Sequence, residues 1–88
     1  MLIAQQKIAV MKDILQRPEQ PELVEDFIIK LKLCPKYQTI LLNKYCYGVG
    51  DKIQIADLKI SSRYYYKLVQ MIHIYAYDAM RRGIRFKI

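Results

Sequence analysis

Six residues punctuate this 88-residue chain and restrict what it can become: Pro18, Pro21, Pro35, Gly48, Gly50 and Gly83. All six stand between apolar runs, none inside one. Proline disfavours helix at the residue before it and suits the first helical turn, while glycine suits the residue just past a helix end. The punctuation therefore cuts the chain into short helical lengths. A first helix is expected over residues 2–16, ended by Pro18. A second starts at Pro21, with Glu22, Glu25 and Asp26 near its positive end and Leu23, Val24, Phe27, Ile28 and Leu31 on one face. A third covers about residues 36–47 and stacks Tyr37, Ile40, Leu41 and Tyr45 before Gly48 and Gly50 stop it. A short fourth covers about residues 52–58, with Asp51 as its expected cap and Gln54 three residues on, a capping-box pattern. A long fifth begins at Ser61 or Ser62 and runs to about residue 82. The tail "IRFKI", residues 84–88, alternates apolar and basic and reads as a short extended strand. The expected fold is all-α: one domain of about five helices with a short extended C-terminal tail.

Charge separates the chain into two parts. Residues 1–33 hold five basic and five acidic groups, whereas residues 34–88 hold ten basic and three acidic, so the whole net charge of +7 lies in the second part. A one-sided positive field favours a polyanionic partner. Catalysis has little to work with: one histidine, no glycine-rich phosphate loop and no clustered acids. No catalytic residue, metal ligand or cofactor is expected. Cys34 and Cys46 flank the third helix, about 18 Å apart along it, too far for a disulfide and without a zinc spacing. Free thiols fit a reducing cytoplasm. No stretch reaches the about 20 apolar residues a membrane span needs, and the N-terminus lacks the pattern of a signal peptide.

The stretch "LKISSRYYYKLVQ", residues 58–70, carries the functional reading. A helix cannot turn three consecutive tyrosines to one face. With Tyr65 at 0° and 100° per residue, Leu68, Val69, Ile72, Ala76 and Ala79 fall within about 60° of it, which makes Tyr65 the core residue. Arg63, Lys67, Gln70 and Arg81 take the opposite arc, and Tyr64 and Tyr66 lie on the flanks. These two either border a basic strip or pack against the first helix. His73 lies about 80° from the core line and reads as half-buried. Two helices joined by a tight turn, the first short and the second long and basic at its start, describe a helix-turn-helix over about residues 51–82. The DNA-contacting set is then Lys52, Lys59, Ser61, Ser62, Arg63, Tyr64, Tyr66, Lys67 and Gln70. Arginine can fork onto guanine, glutamine can pair with adenine, and phenols and serines can reach phosphate.

Residues 40–80 resemble the C-terminal helix-turn-helix of small phage transcription regulators of the ArpU and RinA type. These in turn resemble the promoter-reading fourth region of bacterial sigma factors. The carried features are a helix ending in Lys-Tyr and a glycine turn, then "IADLKIS" before an aromatic-rich helix. The resemblance implies a regulator of a phage or mobile element that binds duplex DNA in the cytoplasm of a bacterial host, with RNA polymerase or another regulatory protein as a further partner. The chain departs from the pattern by one residue missing between Ala56 and Leu58, which moves Ile55 into the inward position, and by Lys59 where a turn glycine is common. The rival reading is a phage-encoded protein that inhibits or modulates a host or competing-element protein from such a scaffold. Single modules bind DNA weakly, so a homodimer or hetero-complex is expected. The candidate interface is Ile3, Ile8, Val10 and Met11 of the first helix, with Met71, Ile74 and Tyr77 of the fifth covered either by the N-terminal helices or by another protein.

Overall fold

A computed structural model describes residues 2–16 and 21–82. It is all-helical: α1 (Ala4–Leu15), α2 (Pro21–Lys30), α3 (Pro35–Tyr45), α4 (Asp51–Leu58) and α5 (Ser62–Arg81), with no strand among the described residues. The expected breaks at Pro18 and Gly83 and the expected strand over residues 84–88 lie outside them. Helix α1 starts two residues later than its apolar pattern suggests. The Gln6 side chain accepts the Ile3 backbone N–H at 3.0 Å and so marks the start of the helix. Helix α3 ends where Gly48 takes a φ of +67°, a left-handed conformation that glycine adopts without steric cost.

Helix α5 is the axis of the fold. Helix α1 packs along it, and α2 packs on α3. One core joins them: Met11 and Leu15 of α1, Val24, Phe27 and Ile28 of α2, Ile40 and Leu41 of α3, and the inner stripe of α5 from Tyr65 to Ala79. The projection around Tyr65 describes that stripe well, since Leu68, Val69, Ile72, Ala76 and Ala79 are all buried. The larger of these, Leu68, Val69 and Ile72, contribute about 1.5–3 kcal/mol each when fully buried, so this stripe holds α5 in place.

For Tyr77 the covering surface lies within the chain. Helix α1 reaches α5 at Tyr77 and Asp78. Lys7 Nζ pairs with Asp78 Oδ1 at 3.1 Å and lies 5.6 Å from the centre of the Tyr77 ring. Tyr77 is buried, and Met71 and Ile74 are half-buried. Met11 is fully buried against the same core, while Ile8 and Val10 are half-buried and Ile3 is exposed. Met11 and Tyr77 therefore have no free surface to offer a partner in this fold, contrary to their place in the expected interface.

Three further expectations are corrected. Asp51 does not cap α4. Gly50 is the N-cap residue and provides no side-chain bond, and Asp51 is the first helical residue, with its carboxylate turned to other partners. The inward position on α4 is held by Gln54, 3% exposed, with Ile55 and Leu58 only partly buried beside it. His73 is not half-buried but wholly enclosed, because Tyr45 of α3 closes over it.

Candidate nucleic-acid interface

Helix α4 meets α5 through a three-residue connection, Lys59 to Ser61. Lys59 sits at φ 56°, ψ 44°, the left-handed conformation that glycine usually fills at such a turn. For a residue with a β-carbon this costs about 1–2 kcal/mol. Ser61 then caps α5: its Oγ accepts the backbone N–H of Tyr64 at 3.1 Å. The choice between Ser61 and Ser62 falls to Ser61, and Ser62 is the first residue of the helix. The start of α5 faces outward with its remaining backbone N–H groups.

A buried polar cluster fixes the junction from below. The Tyr65 hydroxyl donates to Asp51 Oδ1 at 2.7 Å and accepts from Gln54 Nε2 at 3.2 Å. Gln54 Nε2 also lies 3.4 Å from the Ile40 carbonyl, and Gln54 Oε1 lies 3.5 Å from Asn43 Nδ2. Lys44 Nζ pairs with Asp51 at 3.1 Å. Three helices, α3, α4 and α5, thus share one network. Burial pushes the Asp51 carboxyl up, but the hydrogen bonds from Tyr65 and Lys44 and the charges of Lys44 and Lys12 outweigh it. The carboxyl ends below its ordinary value and stays ionised. Burial raises the Tyr65 hydroxyl, and the bond to Asp51 raises it further, so it remains a donor.

A second pair locks α3 to the middle of α5. The Tyr45 hydroxyl lies 2.5 Å from His73 Nε2, and His73 Nδ1 lies 2.6 Å from the Val69 carbonyl. A carbonyl can only accept, so Nδ1 carries the proton, Nε2 accepts, and the Tyr45 hydroxyl donates. Burial lowers the His73 pKa, the Val69 bond opposes this, and the charges of Lys12 and Lys44 lower it again. Burial pushes Tyr45 up to about 12, with Asp51 adding to the shift.

Above this frame lies the surface of the site. Lys52, Lys59, Ser61, Ser62, Arg63, Tyr64, Tyr66, Lys67 and Gln70 are all exposed. Tyr64 and Tyr66 are 50% and 49% exposed. The Tyr66 ring lies edge-to-face with that of Tyr65, centroids 5.3 Å apart, which braces it beside the strip. Residues 62–70 span about 12 Å of helix and gather six of the nine. Lys59 and Ser61 join them from the connection, and Lys52 stands at the far end of α4. On the polar side of the first half of α5, Arg63, Lys67 and Gln70 are all exposed. Neither the Asp51–Tyr65–Gln54 cluster nor the Tyr45–His73 pair has a local sequence signal, since their members come from different helices. The chain has no match among protein-family models, curated proteins or solved structures.

Proposed function

We propose that this chain binds duplex DNA and regulates transcription for a phage or mobile element, using α4 and α5 as a helix-turn-helix with α5 as the reading helix. The observation that carries the reading is the exposed polar face of the first half of α5. Arg63, Lys67 and Gln70 lie exposed on its polar side, Tyr64 and Tyr66 flank them, and of the three tyrosines only Tyr65 turns inward. A cationic strip of one helix face, about 12 Å long, matches the width of a major groove and the side chains that read its edges. Lys59 adds weight. A lysine held in the left-handed conformation is strained where a glycine would not be, and its charge sits beside the strip. In this reading Tyr65, Asp51, Gln54 and Lys44 touch no DNA. They set the angle at which α5 leaves α4.

The test is a gel shift on promoter-length duplexes at low salt. Binding at micromolar protein supports the proposal, since sequence-independent phosphate contact alone gives dissociation constants of about 10⁻⁴–10⁻⁶ M at physiological salt and tighter ones below it. No shift at micromolar protein overturns it. A half-site contact of this size also calls for a second copy of the chain, and Ile3 is the exposed member of the α1 set left for it.

A further inference from the structure

One flank of α5 continues past the strip and carries a different pattern. Tyr64 and Tyr75 are eleven residues apart, which puts them about 16 Å apart along the helix and within about 20° around it. Lys67 and half-buried Met71 lie between them, and Arg82 follows about one turn beyond Asp78. Helix α3 adds Tyr37, whose ring stacks on that of Tyr75 with centroids 6.3 Å apart and planes 30° apart. Burial raises the Tyr37 hydroxyl, and the fields of Cys34, Tyr75 and Tyr64 raise it further. Tyr64 is 50% and Tyr75 44% exposed. The Tyr37–Tyr75 stack borders a cavity of about 480 Å³ whose wall includes Lys32 and Arg82.

Open aromatic faces alternating with cations are what a strand of unpaired nucleotides binds: bases stack on the rings and phosphates track the charges. Duplex DNA hides its base faces inside the stack and cannot use them. An acidic peptide would use the cations, but only nucleotides carry a flat π-face on every unit to set against rings spaced along the flank. We infer that the flank of α5, from Tyr64 past Tyr75, together with Tyr37 of α3, binds single-stranded nucleic acid by stacking bases on these rings, with Lys67 and Arg82 holding the phosphates. Such binding needs no duplex contact. Tyr64 and Lys67 also belong to the duplex strip, so a single strand and a duplex compete for that end of the flank.

The probe is a labelled oligodeoxythymidine, read by fluorescence anisotropy at low salt beside a labelled duplex. The parent binds the oligonucleotide at micromolar protein. Tyr75→Ala weakens that binding about 5- to 150-fold, the loss of one stacked base, and leaves duplex affinity unchanged. Tyr75→Phe, which keeps the ring and drops the hydroxyl, binds as the parent does. Tyr75→Leu keeps apolar bulk for the fold without a π-face and weakens binding as alanine does. Arg63→Ala, in the duplex strip, weakens the duplex and spares the oligonucleotide, so failure of either reading is seen separately. No binding of the oligonucleotide by the parent, equal binding by Tyr75→Ala, or equal loss with Tyr75→Phe each overturns the inference.

Discussion

Removing one oxygen atom tests the frame beneath the strip. Tyr65→Phe keeps the buried ring, so the apolar contribution of Tyr65 to the core is unchanged. It deletes the hydroxyl that donates to Asp51 at 2.7 Å and accepts from Gln54 at 3.2 Å. A hydrogen bond to a charged group contributes about 1.5–3 kcal/mol net. The Asp51 side chain is 28% exposed, so water recovers part of that loss and the lower half of the range applies. The Gln54 amide loses its nearer acceptor and keeps the Ile40 carbonyl at 3.4 Å, a long bond that leaves it under-satisfied. Together these give about 2 kcal/mol. A chain of this length has about 4–13 kcal/mol of total stability, so the loss is a substantial fraction of it. In a domain of this size each kcal/mol moves Tm by about 4–8 °C, which places the Tyr65→Phe midpoint about 8–16 °C lower. Thermal unfolding followed by far-UV circular dichroism measures it. Tyr66→Phe, one residue on with its ring half exposed, is the control and should melt with the parent. Equal midpoints for Tyr65→Phe and Tyr66→Phe would refute the role given to the Asp51–Tyr65–Gln54 cluster.

Other outcomes follow from the same structure. His73 is buried neutral, with its folded pKa below the unfolded one, so the unfolded chain binds the extra proton. Stability is full above about pH 6.5 and falls as pH drops below it, and His73→Gln should flatten that part of a urea-midpoint profile. Asp51 adds a second loss at lower pH: its folded pKa is depressed, so its contribution is present above about pH 4 and disappears as pH falls through the folded value. Lys59→Gly should raise stability by about 1 kcal/mol by relieving the left-handed lysine while weakening duplex binding, opposite signs that denaturation and gel shift read separately. Met11→Glu puts a charge into a fully enclosed site and should unfold the chain, whereas Ile3→Glu should leave it folded and, in light scattering at tens of micromolar, turn a dimer into a monomer.

The helix order and the inner face of α5 were legible because both rest on local rules. Proline and glycine mark ends wherever they fall, and a 100° projection finds the buried side of a long helix from its own residues. The polar interior was not legible for the opposite reason. Gln54 looks like a solvent-facing residue until Tyr65, eleven residues later, is known to reach it. Asp51 stands where a cap belongs, and only Lys44 and Tyr65 draw its carboxylate elsewhere. His73 lies off the core line of its own helix and is enclosed by Tyr45, a residue of α3. The apolar spread around α1 suggested a surface for a second protein, but α5 uses much of it: Met11 is buried, and Lys7 crosses the Tyr77 ring to reach Asp78. Which exposed residues of the strip touch a partner is a matter of surface chemistry that neither periodicity nor packing fixes.

The salt dependence of duplex binding tests the central claim most directly. Arg63 and Lys67 stand exposed in the middle of the strip, away from the buried clusters, so exchanging them should leave the fold intact. Log affinity against log salt should fall linearly for the parent, with a slope of about −0.9 for each phosphate neutralised. Lys67→Ala should flatten that slope by about one unit on every sequence, and Arg63→Ala should cost about 1–3 kcal/mol on preferred sites by losing one base contact. The double change Arg63→Glu and Lys67→Glu should abolish binding at any salt while its melting curve stays that of the parent. A parent that shows no salt-dependent duplex binding, or a folded double variant that binds as well as the parent, would contradict the assignment of α5 as the reading helix.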